Sequence, residues 1–295
     1  MKIIVLSDVH GNLPALEVVL NEVERRAPDM LVVNGDLVNR GPNSLACLQL
    51  LQEQSCMVHF VRGNHESFTL EAQQQRLDKQ DNLYSLHQFA QWTASQLGDE
   101  ALKFISSWQK NIDISELDGG SSFHITHGSR LGERDGISAT TPDNRLMDKL
   151  GSHRDLFVAS HTHKAMMKVF QGRIIVNTGS VGQPLDDDER ASFAEFTYSA
   201  TGWHVEPIRL AYDRQRALQD YSTSGFISQA GPMPVLIYCE HRLSTMCVGP
   251  MMNQYYKAIE SGSIRLNDAV QEFLQNSGLT DKLKDWDIDY RSIFE

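Results

Sequence analysis

Cysteine is scarce in this chain: four residues among 295 (Cys47, Cys56, Cys239 and Cys247), none in a CxxC pair. That argues against a disulfide framework and a thiolate metal site, and it fits a reducing compartment. Long apolar runs are missing too. Ile3-Ile4-Val5-Leu6 and Val235-Leu236-Ile237-Tyr238-Cys239 are among the longest, far short of the roughly 18 residues that suggest a membrane span, so no membrane partner is expected. Positive charge is in deficit, with 27 Lys and Arg against 38 Asp and Glu and a net charge of −11. Such a field disfavours long nucleic acid as the main substrate, because phosphate backbones are held by clustered cations. The amino-terminal segment lacks the basic, apolar and small-residue cleavage pattern of a secretory signal, so a cytoplasmic location is expected. Internal repeats and low-complexity segments are absent. What remains is 41% hydrophobic residues, enough for a real core in one large domain, or in one of roughly 200 residues with an appendage.

Lys2 to Leu6 reads as a short buried strand, and Asn12-Leu13-Pro14 opens a helix with Asn as N-cap and Pro in the first turn. Met30 to Val33 and Met57 to Val61 are further strands, separated by a helix marked by Leu45, Leu48 and Leu51. The order β-α-β-α-β implies parallel pairing through right-handed crossovers. From Ser67 to about Lys110 strand signals give way to helical stretches, expected to form a helical insertion over 67–110. Strand-like runs resume at Ser122–Thr126, Leu156–Ala159, Met166–Phe170, Arg173–Val176, Ala191–Tyr198 and Trp203–Ile208. Turn signals between successive runs suggest antiparallel hairpins beside the parallel core, hence a mixed sheet or sandwich. The expected division is a catalytic domain over 1–210 and a helical C-terminal extension over 211–295.

Polar residues sit where the strands end. Five apolar runs terminate in potential metal ligands: Ser7-Asp8-Val9-His10, Asn34-Gly35-Asp36, Gly63-Asn64-His65, Thr126-His127 and Ser160-His161-Thr162-His163. Ligands of α/β sheets bind beyond the carboxyl ends of strands, so these residues should converge though scattered in sequence. Two carboxylates, an amide and several imidazoles, with no thiolate, suit Mn²⁺, Fe, Zn²⁺, Ni²⁺ or Co²⁺ better than Ca²⁺. Seven ligands exceed the needs of one ion, whereas two ions sharing a bridging carboxylate account for them.

In these motifs the chain resembles the calcineurin-like metallophosphoesterases: Asp8-Val9-His10, Gly35-Asp36 followed by Asn39-Arg40-Gly41, Gly63-Asn64-His65-Glu66, His127-Gly128 and His161-Thr162-His163 occur in the family's order, and the likeness spans roughly residues 1 to 208. Asn177 to Pro184 is similar to the glycine-rich turn of a bacterial branch that includes uncharacterised phosphoesterases and diadenosine-polyphosphate hydrolases. Asp36 to Pro42 and Arg62 to Glu66 also resemble the Ser/Thr protein phosphatases and the symmetrical diadenosine tetraphosphatases. The resemblance implies a four-layer α/β/β/α sandwich and a cofactor of two divalent or trivalent transition-metal ions. It implies that Asp8, His10 and His163 bind one ion and Asn64, His127 and His161 the other, with Asp36 bridging. It further implies a bridging hydroxide as nucleophile, His65 as the acid for the leaving oxygen, and Arg40 as a phosphate contact. Two departures stand out: Ser160 replaces the usual Gly of the last motif, and Asn39 replaces the Asp that orients the acid histidine in protein phosphatases.

The expected activity is hydrolysis of phosphoric esters with a small phosphorylated, nucleotidic or phosphodiester substrate as partner. A protein-phosphatase-like phosphomonoesterase is the alternative enzyme. The alternative outside enzymology is a scaffold that keeps the fold, as a retromer subunit resembling this family does. Arg40 has a competing reading as a salt-bridge residue. The Gly179 to Pro184 stretch is read either as a plain turn or as a run of N–H groups facing phosphate. His124 is read as structural and Asp186-Asp187-Asp188 as a solvated loop. Tyr255, Tyr256 and Phe273 are read as packing or dimer contacts, which leaves a homo-oligomer open.

Overall fold

Lys2–Leu6 (β1) is extended and buried on both faces, as a central strand covered by a layer on each side should be. The computed structural model describes every residue except 75–82, 118–119, 287, 289, 291–292 and 295; the 75–82 part of the expected insertion therefore lies outside the described residues. After β1, Asn12 caps Leu13–Arg26 (α1) by accepting the Ala15 N–H, and Pro14 starts its first turn. Then follow Met30–Asn34 (β2), Ser44–Gln52 (α2), Val58–Val61 (β3), Asn64–Gln74 (α3) and Tyr84–Ser106 (α4). Next come Asn111–Ile114 (β4), Phe123–Thr126 (β5), Asp143–Leu150 (α5), Leu156–Ala159 (β6), Met166–Phe170 (β7) and Arg173–Asn177 (β8). Ala191–Ser199 (β9) and Gly202–Leu210 (β10) form the last hairpin. Arg214–Thr223 (α6), Phe226–Gln229 (α7), Met233–Leu243 (α8), Val248–Glu260 (α9), Leu266–Asn276 (α10) and Leu279–Asp285 (α11) make the helical C-terminal extension.

The strands form two five-stranded mixed sheets, ordered β10-β9-β1-β2-β3 and β4-β5-β6-β8-β7. Alternation along the strands sends Ile3, Val5, Val32 and Phe196 inward against Phe123, Ile125, Leu156, Val158 and Val176 of the other sheet. The opposite face of the first sheet, with Ile4, Leu6, Leu31 and Val33, lies under α1, α2 and the second half of α4. The outer face of the second sheet, with Phe157, Ala159 and Ile175, is covered by Leu146 and Leu150 of α5. This is the four-layer α/β/β/α arrangement.

The second sheet departs from the sequence reading in its pairing and in two elements, α5 and β4. The hairpins β7–β8 and β9–β10 form, but β5, β6 and β8 pair in parallel, not as antiparallel hairpins. The connection between β5 and β6 carries α5, a crossover helix too short and polar to stand out. β4, an edge strand with Asn111 and Asp113 exposed, was also hidden by its polar alternation.

The extension has its own apolar cluster, including Phe226, Leu236, Ile237, Met251, Ile259 and Val270, and Leu86 and Phe89 of α4 belong to it. α4 thus serves two cores, and it changes direction at Gly98, whose φ of 72° and ψ of 169° interrupt the helix. Among the described residues no helix is long and apolar enough to cross a membrane.

Candidate metal centre and its cleft

All five polar strand ends meet at one end of the two sheets. Asp8, His10, Asp36, Asn39, Arg40, His161 and His163 all have φ between 50° and 68°, a left-handed conformation that non-glycine residues adopt only when their surroundings over-determine it. Here the surroundings are backbone hydrogen bonds between neighbouring strand ends: Asp8 N–H to Gly35 O, His10 N–H to Asp36 O and Gly182 N–H to Asp8 O, each 3.0 Å. His65 N–H donates to Asp36 Oδ1 at 2.8 Å. Gly63 leaves room for that carboxylate, since a Cβ there would lie 2.3 Å from Asp36 Oδ1.

Ligand atoms of Asp8, His10, Asp36 and His163 all lie within 4.8 Å of one another, and so do those of Asp36, His127 and His161. Asp36 is common to both groups. Asn64 joins the second, with Oδ1 3.1 Å from His127 Nε2. Three imidazoles are turned the same way. Nδ1 of His10, His127 and His163 faces the backbone oxygen of Asn39, Asn34 and Gln183 respectively, and because a carbonyl only accepts, each Nδ1 carries the proton. Every neutral ring therefore presents its Nε2 lone pair inward, the usual arrangement of metal-ligating histidine. His10 Nε2 and His163 Nε2 stand 3.1 Å apart, and His163 Nε2 is 3.2 Å from Asp8 Oδ1, a buried oxygen with no hydrogen-bond partner among the described residues.

Converging lone pairs and carboxylates repel unless a cation lies among them, and the electrostatics express that demand. Burial alone would lower the His127 pKa, but Asp36 and Asp8 outweigh it and raise it to about 10, so that the centre takes up a proton in place of a cation. Burial likewise opposes ionisation of Asp36, yet His127 and its neighbours hold the carboxyl well below its ordinary range. Burial keeps His10 neutral and lowers His161 to about 4. Carboxylate oxygens, an amide oxygen and imidazole nitrogens fit borderline transition-metal ions.

The cleft over these residues has a volume of about 910 Å³ and is also lined by Arg40, His65, Arg134, Lys164, Glu240, Met246 and Asn253. His65 is held by Asn39, but not through its carbonyl. Asn39 Oδ1 accepts from Arg40 N–H at 2.9 Å and Thr93 Oγ1 at 3.2 Å, which turns the amide nitrogen toward His65 Nδ1 at 3.1 Å. Nδ1 is thus an acceptor, and the ring proton sits on Nε2. Burial, opposed by Asp36 and reinforced by Arg40, depresses the His65 pKa to about 3.

Other residues singled out in sequence have different fates. The Arg40 guanidinium is not free: Nε donates to Gln183 at 2.8 Å and a terminal nitrogen pairs with Glu240. Ser160 is accommodated by hydrogen bonds with Asn34 Nδ2 at 2.8 Å and Thr178 Oγ1 at 3.2 Å. N–H groups of Val181, Gly182 and Gln183 are donated to Ser7 O, Asp8 O and Ser180 Oγ, which makes Gly179 to Pro184 a structural turn. His124 stacks on Phe157 beside Asp113, away from the cleft. Asp186 is not merely solvated, since it pairs with Arg209.

Sequence reasoning assigned no role to Glu66, Thr93, Gln183 or Glu240. Glu66 Oε2 accepts the N–H groups of Asp36 and Gly63, and Oε1 those of Leu37 and Val38, so it ties the Asp36 loop to the first turn of α3. A glutamate two residues after a ligand, in the first turn of a helix, was the available signal.

Comparison with known proteins agrees with this geometry. Residues 1–179 match the family model described as calcineurin-like phosphoesterase. An uncharacterised protein of Methanocaldococcus jannaschii is 28% identical over 232 residues, covering 74% of this chain and 90% of that protein. The crystal structure of a metallophosphoesterase from Sphaerobacter thermophilus superposes with a TM-score of 0.66 at 25% identity, covering 83% of this chain and 99% of that one. A hypothetical protein from Pyrococcus horikoshii gives the same TM-score of 0.66 and the same coverage, 83% and 99%, at 16% identity, a likeness of fold alone. The family match spans more than half of the sequence and contains all five strand ends that build the cluster; the chain belongs to the calcineurin-like phosphoesterase family and is a metal-dependent hydrolase.

Proposed function

We propose that the chain hydrolyses phosphoric esters at a two-metal centre, acting on small nucleotidic or phosphodiester substrates. The observation that carries this reading is the set of inward lone pairs, with the Nδ1 atoms of His10, His127 and His163 committed to backbone oxygens and Asp36 shared by two ligand groups. Asp8, His10 and His163 would hold one ion and Asn64, His127 and His161 the other, with Asp36 between them. Such ions supply an activated water and neutralise phosphoryl oxygens. The protein's own groups do the rest. Arg134 and Lys164 at the cleft wall attract an anionic substrate. His65 offers its Nε2–H to the leaving oxygen, and because Asn39 faces Nδ1 with an amide N–H, the ring donates as a neutral imidazole. This suits leaving groups that need little protonation, such as nucleoside phosphates and aryl oxides, better than alkoxides.

The experiment is a substrate panel assayed with Mn²⁺, containing nucleotides, dinucleoside polyphosphates, aryl diesters, aryl monoesters and a phosphopeptide. Hydrolysis of nucleotidic or diester members, abolished by chelation, is the expected result. Activity confined to the phosphopeptide would transfer the assignment to a protein phosphatase, and metal-loaded protein inert on all of them would favour a scaffold.

A further inference from the structure

The cleft contains an ion pair that the hydrolytic reading leaves unused. Arg40 lies in the loop after β2 and Glu240 on α8, and both line the cleft with His65, His161 and His163. Glu240 is 2% exposed. One of its oxygens accepts from the Arg40 guanidinium; the other accepts the N–H groups of Cys247 and Val248 at the start of α9, each at 2.8 Å. Gln183 takes Arg40 Nε at 2.8 Å and donates its own amide to Ile237 O at 3.1 Å, while its backbone oxygen holds His163 Nδ1. Tyr221 of α6 donates to Arg40 O at 3.1 Å. An exposed pair opens easily, but this one is fixed by three helices of the extension and removed from water.

We infer that Glu240 is a specificity-determining residue that sets the charge of the accepted substrate, favouring singly charged phosphodiesters over doubly charged phosphomonoesters. The inference rests on the proposed reading of the cleft as a phosphoesterase centre. An arginine free in such a cleft adds a full positive charge and a bidentate grip on phosphate oxygens. Paired with Glu240 it contributes only a dipole, and two of its donor nitrogens are already engaged. Glu240 lines the same cleft and cancels the positive charge that Arg40 would otherwise present there. Each additional negative charge on the substrate therefore gains little from the neutral pair, whereas an ester arm in place of an oxyanion forgoes nothing there.

Glu240→Gln tests this, because the amide keeps a carbonyl oxygen for Cys247 and Val248 while removing the charge. Calorimetry on Mn²⁺-loaded protein at about pH 8, where phosphate is largely a dianion, compares inorganic phosphate with dimethyl phosphate. The native protein is expected to bind dimethyl phosphate at least as tightly as inorganic phosphate. The variant is expected to bind inorganic phosphate about tenfold more tightly, with dimethyl phosphate changed about twofold or less, and to shift kcat/KM toward aryl monoesters relative to aryl diesters by a similar factor. A native preference for the dianion of about tenfold, or an equal effect of the substitution on both anions, would overturn the inference. The native comparison stands even if the variant fails to fold. Native protein that binds both anions but hydrolyses neither ester would refute the hydrolytic reading while still judging Glu240.

Discussion

At His65 the atom that matters is the side-chain nitrogen of Asn39. An amide N–H pointing at Nδ1 disfavours the imidazolium, whereas a carboxylate there would accept from Nδ1–H and stabilise it. In Asn39→Asp the His65 pKa is expected to rise from its depressed position, so the variant should gain a rate limb that requires protonated His65, falls as pH rises and lies at higher pH than any such limb of the native protein. Alkyl esters should gain more than nitrophenyl esters, because only the former need a strong acid. Paired pH–rate profiles check this, and an unmoved limb with equal gains on both esters would show that Asn39 does not tune His65. Glu66 makes a second residue-level prediction. Burial and the nearby Asp36 raise its carboxyl to about 7 in spite of the backbone N–H groups it accepts. Glu66→Gln turns an NH₂ toward two of the four donors and should destabilise the fold by roughly 2–4 kcal/mol, with metal affinity falling alongside. Urea unfolding with and without metal measures both effects, and an unchanged midpoint would remove Glu66 from the scaffold of the centre.

Elements differ in how openly their sequence declares them. β1, β2, β3, β5 and β6 are short runs with an apolar end followed at once by polar residues, and that signal is local, so both the strands and the ligands at their ends were readable. β4 and α5 are short and polar, and they exist because β5 and β6 give them a face to pack on. Glu240, Gln183 and Thr93 lie 200, 143 and 54 positions from the residues they hold, Arg40 and Asn39, and no spacing rule reaches that far. The orientation of the Asn39 amide was also illegible, since Thr93 of α4 helps decide it. Within α4 the break at Gly98 is testable by itself. Among the described residues a Cβ there would meet nothing within 4 Å, so Gly98→Ala probes backbone strain. With φ and ψ in a region almost reserved for glycine, the cost should be about 1–3 kcal/mol in urea unfolding. A neutral result would mean that the two halves of α4 tolerate another hinge geometry.

For the whole molecule, the extension and the catalytic sheets are joined where charge is most concentrated. α8 closes one wall of the cleft, and a chain with a net charge of −11 gathers its inward carboxylates Asp8 and Asp36 with His10, His127 and His163 at the sheet ends. Cation binding relieves that crowding, so the native state should be stabilised by about 2.7 kcal/mol for each site when free metal is a hundredfold above its Kd. A chelator should lower Tm accordingly. The most direct test of the account is metal content after loading with Mn²⁺ and removal of free ions. Native protein should retain about two ions per chain, His163→Ala about one, and Asp36→Asn fewer than one, because Asp36 serves both groups. Two ions retained by folded Asp36→Asn, or a single ion in the native protein, would contradict a two-metal centre bridged by Asp36.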